Sequence, residues 1–127
     1  MTTQKIGIFR HAADVRSFKA GDTVFKEGDA ADVMYVVQSG DLDVVYRGAI
    51  VERMSTGDLF GEMSLISDEP RSATVIARTE ARLVPIDLKG FMFLVEETPY
   101  FAVQVMKIMS SRIRHLLPKL DLQKAAQ

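Results

Sequence analysis

The chain has 127 residues, which is enough for one globular domain with its own core. Sixteen Lys and Arg against 17 Asp and Glu give a formal charge of −1. This balance lacks the clustered positive charge on which nonspecific DNA binding depends. The absence of cysteine excludes disulfides, thiolate metal sites and cysteine nucleophiles, and it is typical of a cytoplasmic protein. No apolar run has the length of a signal peptide or of a membrane span.

The first two thirds of the chain have the texture of β-structure. After a short helical or irregular lead-in over residues 1–14, runs rich in Val, Ile, Phe and Tyr extend from Val15 to about Asp87. They are separated by turns in which Gly is followed by Asp, at residues 21–22, 28–29, 40–41 and 57–58. No segment between these runs fits a crossover helix. The pattern predicts a mainly β fold, an antiparallel β-roll or jelly-roll-like barrel, with flanking helices.

The last third of the chain predicts helices. Asp87 can cap a first helix, and Thr98-Pro99 opens a second. Pro118 is expected to end or kink this second helix. Its apolar residues recur at spacings of three and four: Phe101, Val105, Ile108, Met109, Ile113 and Leu116. Further apolar residues widen this face, which favours contact with a second helix, as in a homodimer, while packing on the core is the plainer alternative.

The segment over residues 60–75, FGEMSLISDEPRSATV, has the features of an anion site. Gly61 permits a tight turn, and Glu62 to Ile66 can form one helical turn whose first N–H groups have no internal partner. Pro70 then stiffens the returning chain, and Arg71 brings back a permanent positive charge. Backbone N–H groups combined with a guanidinium are the chemistry of phosphate binding.

Glu62 narrows the choice of ligand. A carboxylate beside a phosphate repels it unless the carboxylate faces a donor, and a ribose hydroxyl is such a donor. A phosphate and a free ribose hydroxyl a short distance apart indicate a 3′,5′-cyclic nucleotide. The plainer alternative is that Glu62 and Arg71 form a structural salt bridge with each other.

This segment resembles the phosphate-binding cassette of the cyclic-nucleotide-binding domain family, which includes kinase regulatory subunits, catabolite activator proteins and cyclic-nucleotide-gated channels. The glycine turns before it and the helices after it also follow the family order. The resemblance implies one domain over residues 1–127. Its parts are the lead-in at 1–14, a β-roll at 15–87 that contains the cassette at 60–75, and hinge and lid helices at 87–120.

The resemblance also implies roles for single residues. Glu62 would take the ribose 2′-hydroxyl and Arg71 the exocyclic phosphate oxygens. The remaining cassette residues implied at the ligand are Gly61, Met63, Ser64, Ser72 and Ala73. Backbone groups of Gly61, Ser64 and Ala73 would complete the phosphate cradle. Ser72 either lies near phosphate and base or satisfies its own turn.

Two residues outside the cassette are implied at the base. Val44 would press on it from a strand. Arg112 would stack over it from the lid helix, or else extend its charged end into solvent.

The implied function is that of a cytoplasmic receptor for cAMP, with cGMP left open by Ser72, and with no cofactor or metal. We expect no catalysis, because no Ser–His–Asp set or nucleophile elbow is present. His11 and His115 are too few and too separated for a metal-dependent cupin enzyme. Output would pass from the last helix to a separate protein effector, without DNA binding or a membrane span. Two alternatives stay open: a nucleotide-independent interaction module with a degenerate cassette, or a fragment of a larger channel or regulator.

Overall fold

A computed structural model describes Phe9, Ala12 and residues 14–125, with side chains as far as Pro118. The expected lead-in over 1–14 and the histidine at position 11 lie outside these residues, apart from positions 9, 12 and 14. Eight strands are present: β1 (Arg16–Phe18), β2 (Thr23–Phe25), β3 (Val33–Ser39), β4 (Leu42–Tyr46), β5 (Ala49–Met54), β6 (Leu59–Phe60), β7 (Thr74–Ala77) and β8 (Ala81–Asp87). Three helices accompany them: α1 (Glu62–Ser67), α2 (Leu88–Glu97) and α3 (Tyr100–Ala125).

The strands form two four-stranded sheets, in the orders β1-β8-β3-β6 and β2-β7-β4-β5. All the pairings are antiparallel, which confirms the predicted β-roll with flanking helices. Three of the Gly–Asp turns close as expected, because the carboxylates of Asp22, Asp29 and Asp58 each accept a hydrogen bond from a backbone N–H three residues earlier.

Strand β3 is buried on both faces and separates two parts of the core. Val33, Tyr35 and Val37 pack inside the roll, whereas Met34 and Val36 face the helices. This division follows from the two-residue period of a strand. The helix-facing core includes Phe101, Val105 and Ile108 of α3, so the first half of α3 is fixed on the roll.

The helices begin as predicted, but α3 ends later. The Asp87 carboxylate caps α2 by accepting a hydrogen bond from the Gly90 N–H at 2.7 Å. Of the two effects expected of Pro118, the end of the helix is wrong, because α3 continues through it to Ala125, and a kink stays a prediction. A proline removes one intrahelical donor, and the carbonyl it leaves free, four residues earlier at the exposed Arg114, can bond to water. No helix among the described residues combines the length and apolarity that a membrane crossing requires.

The apolar face of α3 divides into two halves. Its first half is core, as described above. Farther along, Ile113 is 58% exposed, and Leu116 and Leu117 are about half exposed. The wide apolar face read from the sequence is therefore partly a surface of the described structure, and whether a second helix covers it stays a prediction.

Candidate functional site

The nine residues predicted to bind ligand all line one cavity of about 410 Å³, which lies between the β2-β7-β4-β5 sheet, α1 and α3. They are Val44, Gly61, Glu62, Met63, Ser64, Arg71, Ser72, Ala73 and Arg112. Small-molecule sites in proteins have volumes of about 300–1,000 Å³. The structure thus brings these residues together at a suitable size, and their roles toward a ligand stay predictions.

The sheet side of the cavity is lined by one row of side chains that crosses all four strands. We call this row, Phe25, Val75, Val44 and Glu52, the floor row. Phe25 is paired with Val75, Val75 with Val44, and Val44 with Glu52, in adjacent antiparallel strands. Directly paired residues point to the same face of a sheet, and all four line the cavity. At about 4.8 Å per strand, the row extends about 14 Å.

Gly61 forms the turn at the start of the cassette, against which the Arg71 side chain packs. Its φ of +81° belongs to the left-handed region, and it immediately precedes α1. A Cβ at this position would lie 2.6 Å from Arg71 Nη1. The glycine is therefore required both by the backbone conformation and by the guanidinium that packs against it.

Arg71 is a buried cation at one end of the floor row, with 5% of its surface exposed. Nη2 donates to the Val33 carbonyl at 2.6 Å and Nη1 to the Gly61 carbonyl at 3.2 Å, while the guanidinium carbon lies 4.0 Å from the centre of the Phe25 ring. Its Nε is buried and has no hydrogen-bond partner among the described residues. Burial lowers the pKa of Arg71, and electrostatic interactions with Tyr35 and with the carboxylates of Asp32, Asp29 and Glu62 oppose that shift.

Glu62 is also buried, but its partner is not Arg71. Its Oε1 accepts a hydrogen bond from Arg112 Nη1 at 2.7 Å. The alternative of a structural Arg71–Glu62 salt bridge is therefore wrong, because the carboxylate pairs with a cation from α3 instead.

Arg112 joins α3 to the cavity through several contacts. Besides Glu62, it donates from Nε to Glu52 Oε2 at 3.1 Å, and from Nη2 to the Leu59 carbonyl and to Met54 Sδ. Its side chain is 20% exposed, so the reading in which the charge extends into solvent is wrong. In this structure the guanidinium bridges the carboxylates of Glu52 and Glu62. Its stacking over a base stays a prediction.

The smaller cassette residues divide by their hydrogen bonds. The Ser64 hydroxyl donates to the Pro70 carbonyl at 3.3 Å and so holds the loop closed. Ser72 is exposed, and its hydroxyl makes no hydrogen bond within the described part of the chain, which disfavours the reading in which it serves its own turn. Met63 lines the cavity but is 60% exposed.

Sequence reasoning missed Phe25 and Glu52, which form the two ends of the floor row. Phe25 looked like an ordinary strand residue, and its contact with Arg71 joins distant segments of the chain. Glu52 depends on strand register. From the turn at residues 47–48, unbroken pairing would place Val51 opposite Val44, but a register shift brings Glu52 there.

Residues 15–98 match the family described as the cyclic nucleotide-binding domain. This chain belongs to that family. Its predicted cassette residues, Gly61 to Ala73, lie within the matched range.

Two relatives show how far the likeness extends. A cAMP-dependent protein kinase regulatory subunit of Aspergillus niger is 35% identical over 86 residues, which is 66% of this chain and 21% of the subunit. A cGMP-dependent protein kinase of Toxoplasma gondii is 40% identical over 77 residues, 61% of this chain and 8% of the kinase. The domain thus spans about a fifth or less of the length of these two relatives.

Among solved structures, the catabolite activator protein of Thermus thermophilus superposes with a TM-score of 0.78 at 27% identity, covering 87% of this chain and 55% of that structure. This agreement confirms the predicted fold class.

We expect Gly61→Ala to lower the free energy of unfolding by more than Gly21→Ala. Gly21 has a φ of +92° and no atom within 4 Å of the point where a Cβ would lie, so its substitution reports the backbone penalty alone, about 1–2 kcal/mol. At Gly61 the same penalty is joined by displacement of Arg71. Urea denaturation of the two variants measures the difference, and equal losses would contradict the close packing of Arg71 against Gly61.

We expect Arg112→Ala to loosen α3, because it removes charge-assisted hydrogen bonds of about 1.5–3 kcal/mol and leaves Glu62 buried without its partner. Amide hydrogen exchange should become about ten- to a hundredfold faster in α3. Arg114→Ala, two positions along the same helix and exposed, is the matched control. Equal exchange rates in the two variants would show that the Arg112 contacts do not hold the helix.

Proposed function

We propose that this domain binds a 3′,5′-cyclic nucleotide, preferably cAMP, with the phosphate on Arg71 and the ribose on Glu62. The observation that carries the proposal is the state of Arg71: a buried guanidinium beside a cavity, with a free Nε–H and no carboxylate within ion-pair distance in the described part of the chain. A buried charge is costly unless it is paired. An anionic ligand in the cavity would supply the missing charge.

The phosphate of a cyclic nucleotide suits this position. It carries a single negative charge, which matches a single guanidinium. Gly61 and Ala73 add backbone close to the same end of the cavity, where the absence or small size of their side chains leaves room for oxygen atoms. Charge-assisted hydrogen bonds of this kind are among the stronger ones in proteins.

Glu62 supports the ribose part of the proposal. Its Oε1 is taken by Arg112, but its Oε2 has no hydrogen-bond partner among the described residues. An ionised carboxylate accepts about four hydrogen bonds, so a ribose hydroxyl can donate to it without displacing Arg112. Arg112 also offsets the repulsion that two anions, Glu62 and a phosphate, would otherwise exert on each other.

The preference for cAMP rests on the family resemblance and on relatives named as cAMP-dependent kinase regulatory subunits, although a relative named as a cGMP-dependent kinase is also similar. The proposed role is that of a sensor rather than a catalyst. The ligand would bias the position of α3, because Glu62 contacts both the proposed ribose and, through Arg112, that helix. The output would then pass to a protein effector.

The direct test is titration calorimetry with cAMP and cGMP on the wild type and on Arg71→Ala. We expect stoichiometric binding to the wild type, tighter for cAMP. In Arg71→Ala it should weaken about ten- to several-hundredfold, as for the loss of charge-assisted phosphate bonds of about 1.5–3 kcal/mol each.

Arg78→Ala is the control for this titration, because Arg78 is exposed and outside the cavity. Circular dichroism should show that both variants are folded. Unchanged affinity in folded Arg71→Ala would contradict the proposed phosphate site, and the absence of heat from the wild type would contradict the function.

A further inference from the structure

Glu52 closes the end of the floor row opposite to Arg71. The row begins at Phe25, against which the guanidinium packs, and crosses the apolar side chains of Val75 and Val44 before it reaches this carboxylate. The cavity wall therefore has a cation at one end, an apolar middle and a hydrogen-bond acceptor at the other end, about 14 Å along the row.

Polar side chains are scarce at this end of the cavity. Among the described residues that line it, those outside the cassette with a charged or hydrogen-bonding side chain are Glu52 and Arg112, and the rest are apolar. A purine base has apolar faces that can pack on Val44 and a polar edge that needs partners, because a polar group buried without one is costly. Glu52 and Arg112 are the side chains that can supply them.

Glu52 retains acceptor capacity while it holds Arg112. Its Oε2 accepts from Arg112 Nε at 3.1 Å, whereas its Oε1 makes no hydrogen bond within the described part of the chain. The side chain is 39% exposed, so a ligand can reach it. A carboxylate takes donors and repels carbonyl oxygens, so it distinguishes the amino groups of purines from their keto groups.

We propose that Glu52 is a specificity-determining residue that accepts a hydrogen bond from the exocyclic amino group of the purine. This inference rests on the proposed function, since it requires a nucleotide whose phosphate lies at Arg71. The ribose then separates phosphate from base, so the base lies over Val44 and its edge reaches Glu52. The shared chemistry is an aromatic amino group: the 6-amino group of adenine or the 2-amino group of guanine.

The test removes the amino group from the ligand and the carboxylate from the protein. Calorimetry gives the dissociation constants of cAMP and its 6-deamino analogue, purine riboside 3′,5′-cyclic monophosphate, and of cGMP and cIMP, which lacks the 2-amino group. In the wild type, one of these two pairs should show about ten- to a hundredfold weaker binding without the amino group. The pair that responds identifies the base edge that Glu52 contacts.

In Glu52→Ala that difference should fall to less than about threefold. The remaining difference would then be smaller than the contribution of one charge-assisted hydrogen bond. Glu52→Gln, which keeps an uncharged acceptor oxygen and the side-chain size, should give an intermediate difference and serves if the alanine variant is unstable. Glu80→Ala is the matched control, because it removes an exposed carboxylate outside the cavity and should leave the difference unchanged.

Two results would overturn the proposal. The first is a wild type indifferent to the amino group. The second is a Glu52→Ala variant that keeps the wild-type difference; if all four nucleotides weaken equally in it, Glu52 acts through Arg112 alone. In each case, nucleotide binding to the wild type that is weakened in Arg71→Ala leaves the proposed function intact. Failure of all four nucleotides to bind the wild type would contradict both.

Discussion

The site depends on the burial of one guanidinium. Arg71, in the returning arm of the cassette, packs on the Phe25 ring and against the carbonyls of Val33 and Gly61, and these contacts join three separate segments of the chain. They give each terminal nitrogen one acceptor but leave its charge without an anion and its Nε without an acceptor among the described residues. The fold therefore holds a cation at an unfavourable position, and a bound anion would relieve the cost of that position.

A second cation connects this site to the rest of the molecule. Arg112 bridges the carboxylates of Glu62 and Glu52 and so links α3 to the cassette and to the sheet at once. The first half of α3 is fixed by buried residues such as Phe101, whereas residues 113–118, beyond Arg112, are exposed. A ligand that shares Glu62 or Glu52 with Arg112 would change the free energy of docking this second half. That coupling gives a physical route from binding to a change in α3.

The sequence was sufficient where local chemistry decides the structure. The Gly–Asp turns, the Asp87 cap and the helical turn after Gly61 depend only on residues that are close together in the sequence. Each is present in the structure. The predicted cassette residues share one cavity because the segment that carries them is short and continuous.

Contacts between distant segments were not predictable in the same way. The pairing of Arg112 with Glu62 joins residues 50 positions apart, and either could have met another partner. Glu52 reaches the cavity through a register shift that hydrophobic alternation does not encode. The helix was expected to end at Pro118, but it continues, because a single hydrogen bond lost at an exposed helix face can be replaced by one to water.

The most direct measurement of the central claim is the NMR signal of the Arg71 Nε–H group during titration with cAMP. This proton has no acceptor in the described structure. Formation of a hydrogen bond to a phosphate oxygen should move its resonance strongly downfield and slow its exchange with water, saturating at one equivalent of nucleotide. A complex that forms with the Arg71 Nε–H signal unchanged would show that the nucleotide binds without this guanidinium, and it would contradict the account.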